Sequence, residues 1–154
     1  MVYLYLKLLH IIFAVLFLGN ITVGVFWKYF AHKSKDPEQI AFAFKGIIKA
    51  DKYFTMPGVI GIIFFGVGGA LHGGFNLIST GWIFWSIILF AVSGAAFMAK
   101  LVPLQKKIAA LASDKANFNW DEYQALAKQW DFWGFIALIT PYLAVILMVI
   151  KPDL

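Results

Sequence analysis

Apolar residues in this chain come in long blocks, not at the two-residue period of a strand. Four such blocks stand out: residues 5–27, 54–71, 82–99 and 132–150. Each falls within the roughly 17–25 residues that an α-helix needs to cross a hydrocarbon core. Their ends carry aromatic and charged residues. Trp27, Lys28 and Tyr29 close the first, and Asp51, Lys52 and Tyr53 precede the second. Gly81 and Lys100 bracket the third, and Asp131 and Lys151 the fourth. Such residues suit the boundary between lipid and water. The pattern predicts an all-α chain forming a single integral membrane domain over residues 1–154, an up-down bundle of four transmembrane helices.

The connections differ in kind. Residues 72–80 make a short uncharged loop containing Gly73, Gly74 and Asn76. The other two connections are long and charged, and read as helical extensions of the spans. Asp36-Pro37-Glu38-Gln39 has the form of an N-cap, a proline at the first helical position and an acceptor in the first turn. The helix it opens runs from Ile40 through Tyr53 into the second span. Asn119-Trp120-Asp121-Glu122 is a second start signal, leading into the fourth span. The third helix is expected to continue through residues 105–112, with Pro103 as a bend.

Composition and charge sharpen this picture. The chain is 62% hydrophobic and 14% charged, whereas soluble proteins are nearer half apolar and a quarter charged. It has no cysteine, which excludes disulfides and thiolate metal sites. The net charge of +5 comes from thirteen lysines and no arginine. Those lysines sit beside membrane-length runs, so lipid headgroups are the expected partners and nucleic acid is not. Eleven of them flank the two long connections; only Lys7 and Lys151 lie at the opposite face. The positive-inside rule then places both long connections in the cytoplasm and both termini outside. The first apolar run is too long for a secretory signal and lacks a small-x-small cleavage site, so it is expected to be a retained span.

Polar side chains within hydrocarbon are costly and turn toward the bundle interior. At about 100° per residue, His10, Phe17, Asn20, Gly24 and Lys28 fall on one stripe of the first helix. Gly58, Gly61, Gly66, Gly69, His72 and Gly73 share a side of the second, and Ser86, Ser93 and Lys100 recur along the third. Asp131, Gly134, Leu138 and Tyr142 share a face of the fourth. Small residues on such stripes let helices approach closely.

Two histidines are candidate ligands. His10 lies about one and a half turns inside the outer boundary, and His72 ends the second helix on the same side. If the two helices are antiparallel neighbours, both imidazoles lie at similar depth. They could then ligate the iron of a haem b, with glycines where the macrocycle meets backbone. The alternative is that His10 bonds within the bundle while His72 caps a helix end. His32, among Lys28, Lys33 and Lys35, reads as solvated. A second polar cluster comprises Lys28, Asp51, Lys52, Lys100 and Asp131, where ion pairs would pin the bundle or form an anion vestibule or proton entry. Familiar enzyme signatures (G-x-S-x-G, a P-loop, H-E-x-x-H, a dinucleotide fingerprint) are absent, which points away from catalysis.

Several stretches resemble a family of bacterial integral membrane proteins defined only as a domain of unknown function. They are Leu6 to His10, Ala31 to Pro37, Ala50 to Pro57, Trp130 to Gly134 and Leu147 to Pro152. That resemblance covers nearly the whole chain and implies the inner membrane of a bacterium. More distantly, Lys7 and His10 are similar to the K-x-x-H opening of HemJ-type protoporphyrinogen oxidases and copper-resistance D proteins. This similarity implies His10 as an axial ligand or porphyrin-site residue and Lys7 as a partner for a porphyrin carboxylate. Any catalysis would be that of a membrane oxidoreductase on a porphyrinogen-like substrate. The functional expectation is a small membrane protein binding haem b or a porphyrin. A non-catalytic scaffold or homo-oligomer is one alternative. The other is a small transporter using Asp51, Asp131 and Asn20.

Overall fold

Pro37 and Asn119 fix where two of the helices begin. Asp36 Oδ1 accepts the Glu38 N–H at 2.9 Å with Pro37 at the first helical position. Asn119 Oδ1 accepts the N–H groups of Asp121 and Glu122 at 2.9 and 3.1 Å. Caps of this kind contribute about 1 kcal/mol each. In the computed structural model, which describes all 154 residues, four helices result: α1 Val2–Ser34, α2 Pro37–His72, α3 Gly81–Ser113 and α4 Trp120–Ile150. There is no strand, and each helix is long and apolar enough to cross a membrane. All but 14 of the 128 backbone hydrogen bonds lie within helices, as hydrocarbon demands of any backbone it surrounds. The helical connections and the spans are thus continuous rods.

Both α2 and α3 widen by one residue on the way. Met56 N–H bonds to Asp51 C=O and Val102 N–H to Phe97 C=O, five residues back instead of four. A proline follows each, Pro57 and Pro103. Proline lacks an N–H and its ring collides with the carbonyl four residues earlier. A π-turn just before it opens the ladder where that collision would occur. The extra residue also shifts the helical register. Lys100, expected to share a face with Ser86 and Ser93, instead lies exposed in the second π-turn, while Leu101 is buried.

Within the membrane-length portions the helices form two antiparallel pairs. On α1 and α2 the side chains of one fill notches of the other. Phe17 sits against Gly58, Phe13 against Gly61, His10 against Gly66 and Leu6 against Gly69. The glycine stripe is therefore a packing surface, as its spacing predicted. On α3 and α4 the ties are polar: Ser86 donates to Ala144 C=O at 3.3 Å and Ser93 to Ala137 C=O at 2.7 Å. The pairs touch each other sparsely. No Cα of Met56–His72 comes within 8 Å of one in Gly81–Ala96 or Trp120–Ile150. Phe17 meets Phe90 edge-on, and Thr22 bonds Tyr142 at 2.9 Å.

The pairs are joined at the lysine-rich end. There the extensions of α2 and α3 pack with the ends of α1 and α4 around Ile40, Phe44, Ile108, Ala112, Tyr123 and Trp130. This core lies largely beyond the apolar stretches, where water supplies a hydrophobic drive that lipid does not.

The notches generate a stability prediction. A Cβ on Gly61 would collide with the Phe13 ring, and overpacking of this sort costs about 1–3 kcal/mol. Gly61→Ala should lower the melting temperature in detergent, and adding Phe13→Leu should restore part of the loss. An unchanged melting curve for Gly61→Ala would show that α1 and α2 do not pack through this stripe.

Candidate functional site

The π-turn in α2 carries Asp51 onto the buried side of the bundle, where only 8% of the residue remains exposed. Its Oδ1 accepts from Thr55 Oγ1 at 2.7 Å and from Asn20 Nδ2 at 3.2 Å. Its Oδ2 accepts from Gln105 Nε2 at 3.0 Å. Asn20 Nδ2 also donates to Thr55 Oγ1 at 2.8 Å. Three helices therefore meet at one carboxylate, which accepts from Thr55, Asn20 and Gln105. Asp51 has no cationic partner: the chain's salt bridges are Lys28–Asp131 and Lys115–Glu38.

Lys28 lies two turns further along α1. Its Nζ meets both carboxylate oxygens of Asp131, at 2.5 and 2.6 Å, and stands over the Trp130 ring at 5.9 Å. The lysine is buried, whereas the Asp131 side chain is half exposed. The five-residue cluster expected from the sequence is thus divided. Lys28 and Asp131 pair with each other, but Lys52 and Lys100 point outward over Tyr53 and Trp133. Asp51 is left to neutral donors because the π-turn rotates it inward while its neighbour Lys52 is exposed.

Beside this cluster is a cavity of about 290 Å3 between the two helix pairs. Asn20, Asp51, Thr55, Gln105 and Trp130 line it, together with Phe17, Phe90 and Phe97. Trp130 is 4% exposed, and its Nε1–H is a buried donor without a partner. Gly24, Gly46 and Gly94 also line the cavity, and Gly46 and Gly94 are exposed at its edge. A Cβ on Gly46 or Gly94 would meet nothing within 4 Å, and one on Gly24 only Ile47 at 4.0 Å. Val23 and Trp27 of α1 and Phe42 of α2, like Gly46 and Gly94, are exposed and border the cavity where it reaches the surface. Sequence reasoning singled out Asn20 and Asp51 but missed Thr55, Gln105 and Trp130. The four-residue spacing from Asp51 to Thr55 was the one local signal available.

The histidines are placed elsewhere. His10 Nδ1 lies 2.9 Å from Ile62 C=O, and its ring occupies the notch at Gly66. His72 Nδ1 bonds Gly68 C=O of its own helix at 2.9 Å, and the residue is exposed. The register of α1 on α2 sets His10 level with Gly66, six residues or roughly 9 Å along α2 from His72. The similar depth expected of the two is therefore corrected. Helices α1 and α2 touch between them, leaving no slot for a flat macrocycle, so these residues do not fit an axial pair for haem. Lys7 is exposed and unpaired near Gly69. No three histidine, aspartate or glutamate side chains cluster closely enough to hold a metal ion.

His32 is also corrected. It is half-buried, not simply solvated, with its ring stacked on Trp120 and Tyr123 and Nδ1 3.1 Å from the Tyr123 hydroxyl. The start of α4 supplies that aromatic wall. Burial pushes the Tyr123 hydroxyl up to about 12, so it stays neutral. Burial, reinforced by the Lys28 ammonium, holds the His32 imidazole below its ordinary value.

Comparison with known proteins agrees with this architecture. Residues 4–152 match the family model described as predicted integral membrane protein (DUF2269), and the chain belongs to that family. No curated protein and no solved structure matches it.

Two outcomes follow from the charges. Asp131→Asn strands a buried ammonium, so it should destabilise the chain, by less than the ~3–5 kcal/mol of a fully buried pair because Asp131 is half exposed. The double variant Lys28→Met with Asp131→Asn should be more stable than Asp131→Asn alone. Equal melting temperatures for the two would rule out the stranded charge. The second outcome concerns pH. Folded His32 favours its neutral form, so the unfolded chain takes up that proton first as pH falls. Stability is complete above about 6.5 and declines below it. His32→Gln should flatten the melting temperature between pH 7.5 and 5.5, and an unaltered slope would remove His32 from this account.

Proposed function

We propose that this member of the DUF2269 family binds a small amphiphile in the cavity at the lysine-rich end of its bundle. The observation that carries this reading is an apolar cavity with a buried polar cluster on its wall. A simple packing defect in hydrocarbon would be lined by apolar side chains alone. Here Asp51, Asn20 and Gln105 supply the few placed polar groups that fix a ligand's orientation in an otherwise greasy site.

A pure scaffold accounts for Gly58, Gly61 and Gly66, which receive side chains of α1. It does not account for the carboxylate and carboxamides of Asp51, Asn20 and Gln105 on the wall of an open cavity. With the lysine-rich end in the cytoplasm, as the charge bias directs, the mouth lies at the inner boundary of a bacterial inner membrane. Lipophilic molecules concentrate at that depth. Binding there is also the first step a small transporter requires, and Asn20 and Asp51 belong to both readings.

Neopentylbenzene, a neutral apolar probe, provides the test by equilibrium dialysis against nanodisc-embedded protein, with empty nanodiscs as the blank. Gly94→Leu and Gly46→Leu place side chains into open space, so both should keep the wild-type melting temperature. Together they should reduce specific binding of the probe at least tenfold. Undiminished binding in this folded double variant would sink the proposal.

A further inference from the structure

We infer that the head of the bound amphiphile is a cation, an organic ammonium or comparable monocation joined to an apolar body. This deepens the binding reading above and rests on it. The argument starts from the donors around Asp51. Thr55, Asn20 and Gln105 each donate to it and none brings a positive charge. These three donated hydrogen bonds favour the acceptor-only, ionised carboxylate, whereas burial pushes the Asp51 carboxyl above its ordinary value, so the charge is held at a cost. The one buried lysine is Lys28, and both of its short contacts go to Asp131. Lys52 and Lys100 are exposed, with their ammonium groups over Tyr53 and Trp133. Among Lys28, Asp131 and Asp51 the formal charges are +1, −1 and −1, leaving −1 beside the cavity.

A buried charge that is hydrogen-bonded but unpaired remains costly. An occupant that brings the missing positive charge recovers that cost on binding, whereas a neutral one does not and an anionic one adds to it. The rest of the wall fits such a guest. Phe17, Phe90 and Phe97 line the same cavity, and aromatic faces attract cations. The mouth at Trp27 and Phe42 is aromatic too. Selection among lipophilic molecules would then lie with Asp51, while the apolar walls supply affinity for the body.

Benzyltrimethylammonium and neopentylbenzene have the same shape and differ by a nitrogen cation in place of a quaternary carbon. Equilibrium dialysis of both against the nanodisc-embedded chain, each corrected for empty nanodiscs of the same lipid, reads the preference directly. The wild-type chain should bind the cation at least tenfold more tightly than its neutral isostere, and Asp51→Asn should bring that ratio close to one. If the neutral probe binds and the cation binds no better, the cationic head is overturned while the cavity reading stands. A tenfold preference that survives intact in folded Asp51→Asn also overturns the assignment to this carboxylate. Should neither probe bind specifically, the cavity reading fails and the inference falls with it. The wild-type comparison decides the charge preference even if Asp51→Asn proves too unstable to purify.

Discussion

Lipid gives helices no hydrophobic reason to associate, because hydrocarbon tails are as apolar as the side chains they surround. This constraint accounts for the division of labour in the molecule. Within the spans, large apolar residues such as Val15, Ile60 and Phe64 are exposed on the outer surface. Cohesion there comes from close fit at Gly58, Gly61 and Gly66 and from hydroxyl bonds at Ser86 and Ser93. The conventional hydrophobic core is displaced to the lysine-rich end, where the extensions of α2 and α3 reach water. Two helix pairs, each internally tight, are thereby held together mainly at one end.

Away from that end the pairs touch sparsely, and the cavity lies between them near the junction. Its polar wall depends on the same feature that lets α2 pass a proline. Without the π-turn, Pro57 would clash with the preceding carbonyl, and the register that brings Asp51 to face Gln105 would be lost. The matching π-turn before Pro103 acts on α3, placing Gln105 four residues beyond Leu101 on the buried side. Two prolines at comparable height in neighbouring helices thus determine where a carboxylate, two carboxamides and a hydroxyl converge. This polar convergence also links α1, α2 and α3 at the level where their spans meet the aqueous core.

Legibility in the sequence followed the regularity of the underlying geometry. The four spans and their caps at Asp36 and Asn119 could be read because apolar length and capping chemistry are local. The α1–α2 seam could be read because glycines on an undisturbed helix repeat with its period. Lys28 and Asp131 could be placed at one level of the bundle because both lie on regular stretches of α1 and α4, but which lysine meets which carboxylate was not legible. Period-based reasoning failed where the period changes. It put Lys100 on the face of Ser86 and Ser93, although the second π-turn rotates it outward. It gave Asp51 lysine neighbours and missed Gln105, whose approach needs both π-turns at once. The depth of His10 relative to His72 was misjudged for a different reason. His10 lies on the predicted face, but the register between two helices is set by which ring fills which notch, and helical period alone does not specify it.

The placement of Asp51 separates a structural role from a recognitional one. A carboxylate serving only to tie helices together is best accompanied by a cation, as Asp131 is by Lys28. A hydroxyl or carboxamide in place of Asp51 could link Asn20, Thr55 and Gln105 without burying a charge. A lone carboxylate is the costlier choice for packing, since its desolvation is offset only by neutral donors. It becomes the favourable choice if the countercharge arrives with a guest, because the donors then hold the anion in place before the guest enters. The cavity, the open glycines and the aromatic mouth all lie on the side from which such a guest would come. The unpaired charge at Asp51 is therefore better understood as half of an ion pair completed by binding than as a fault in the packing.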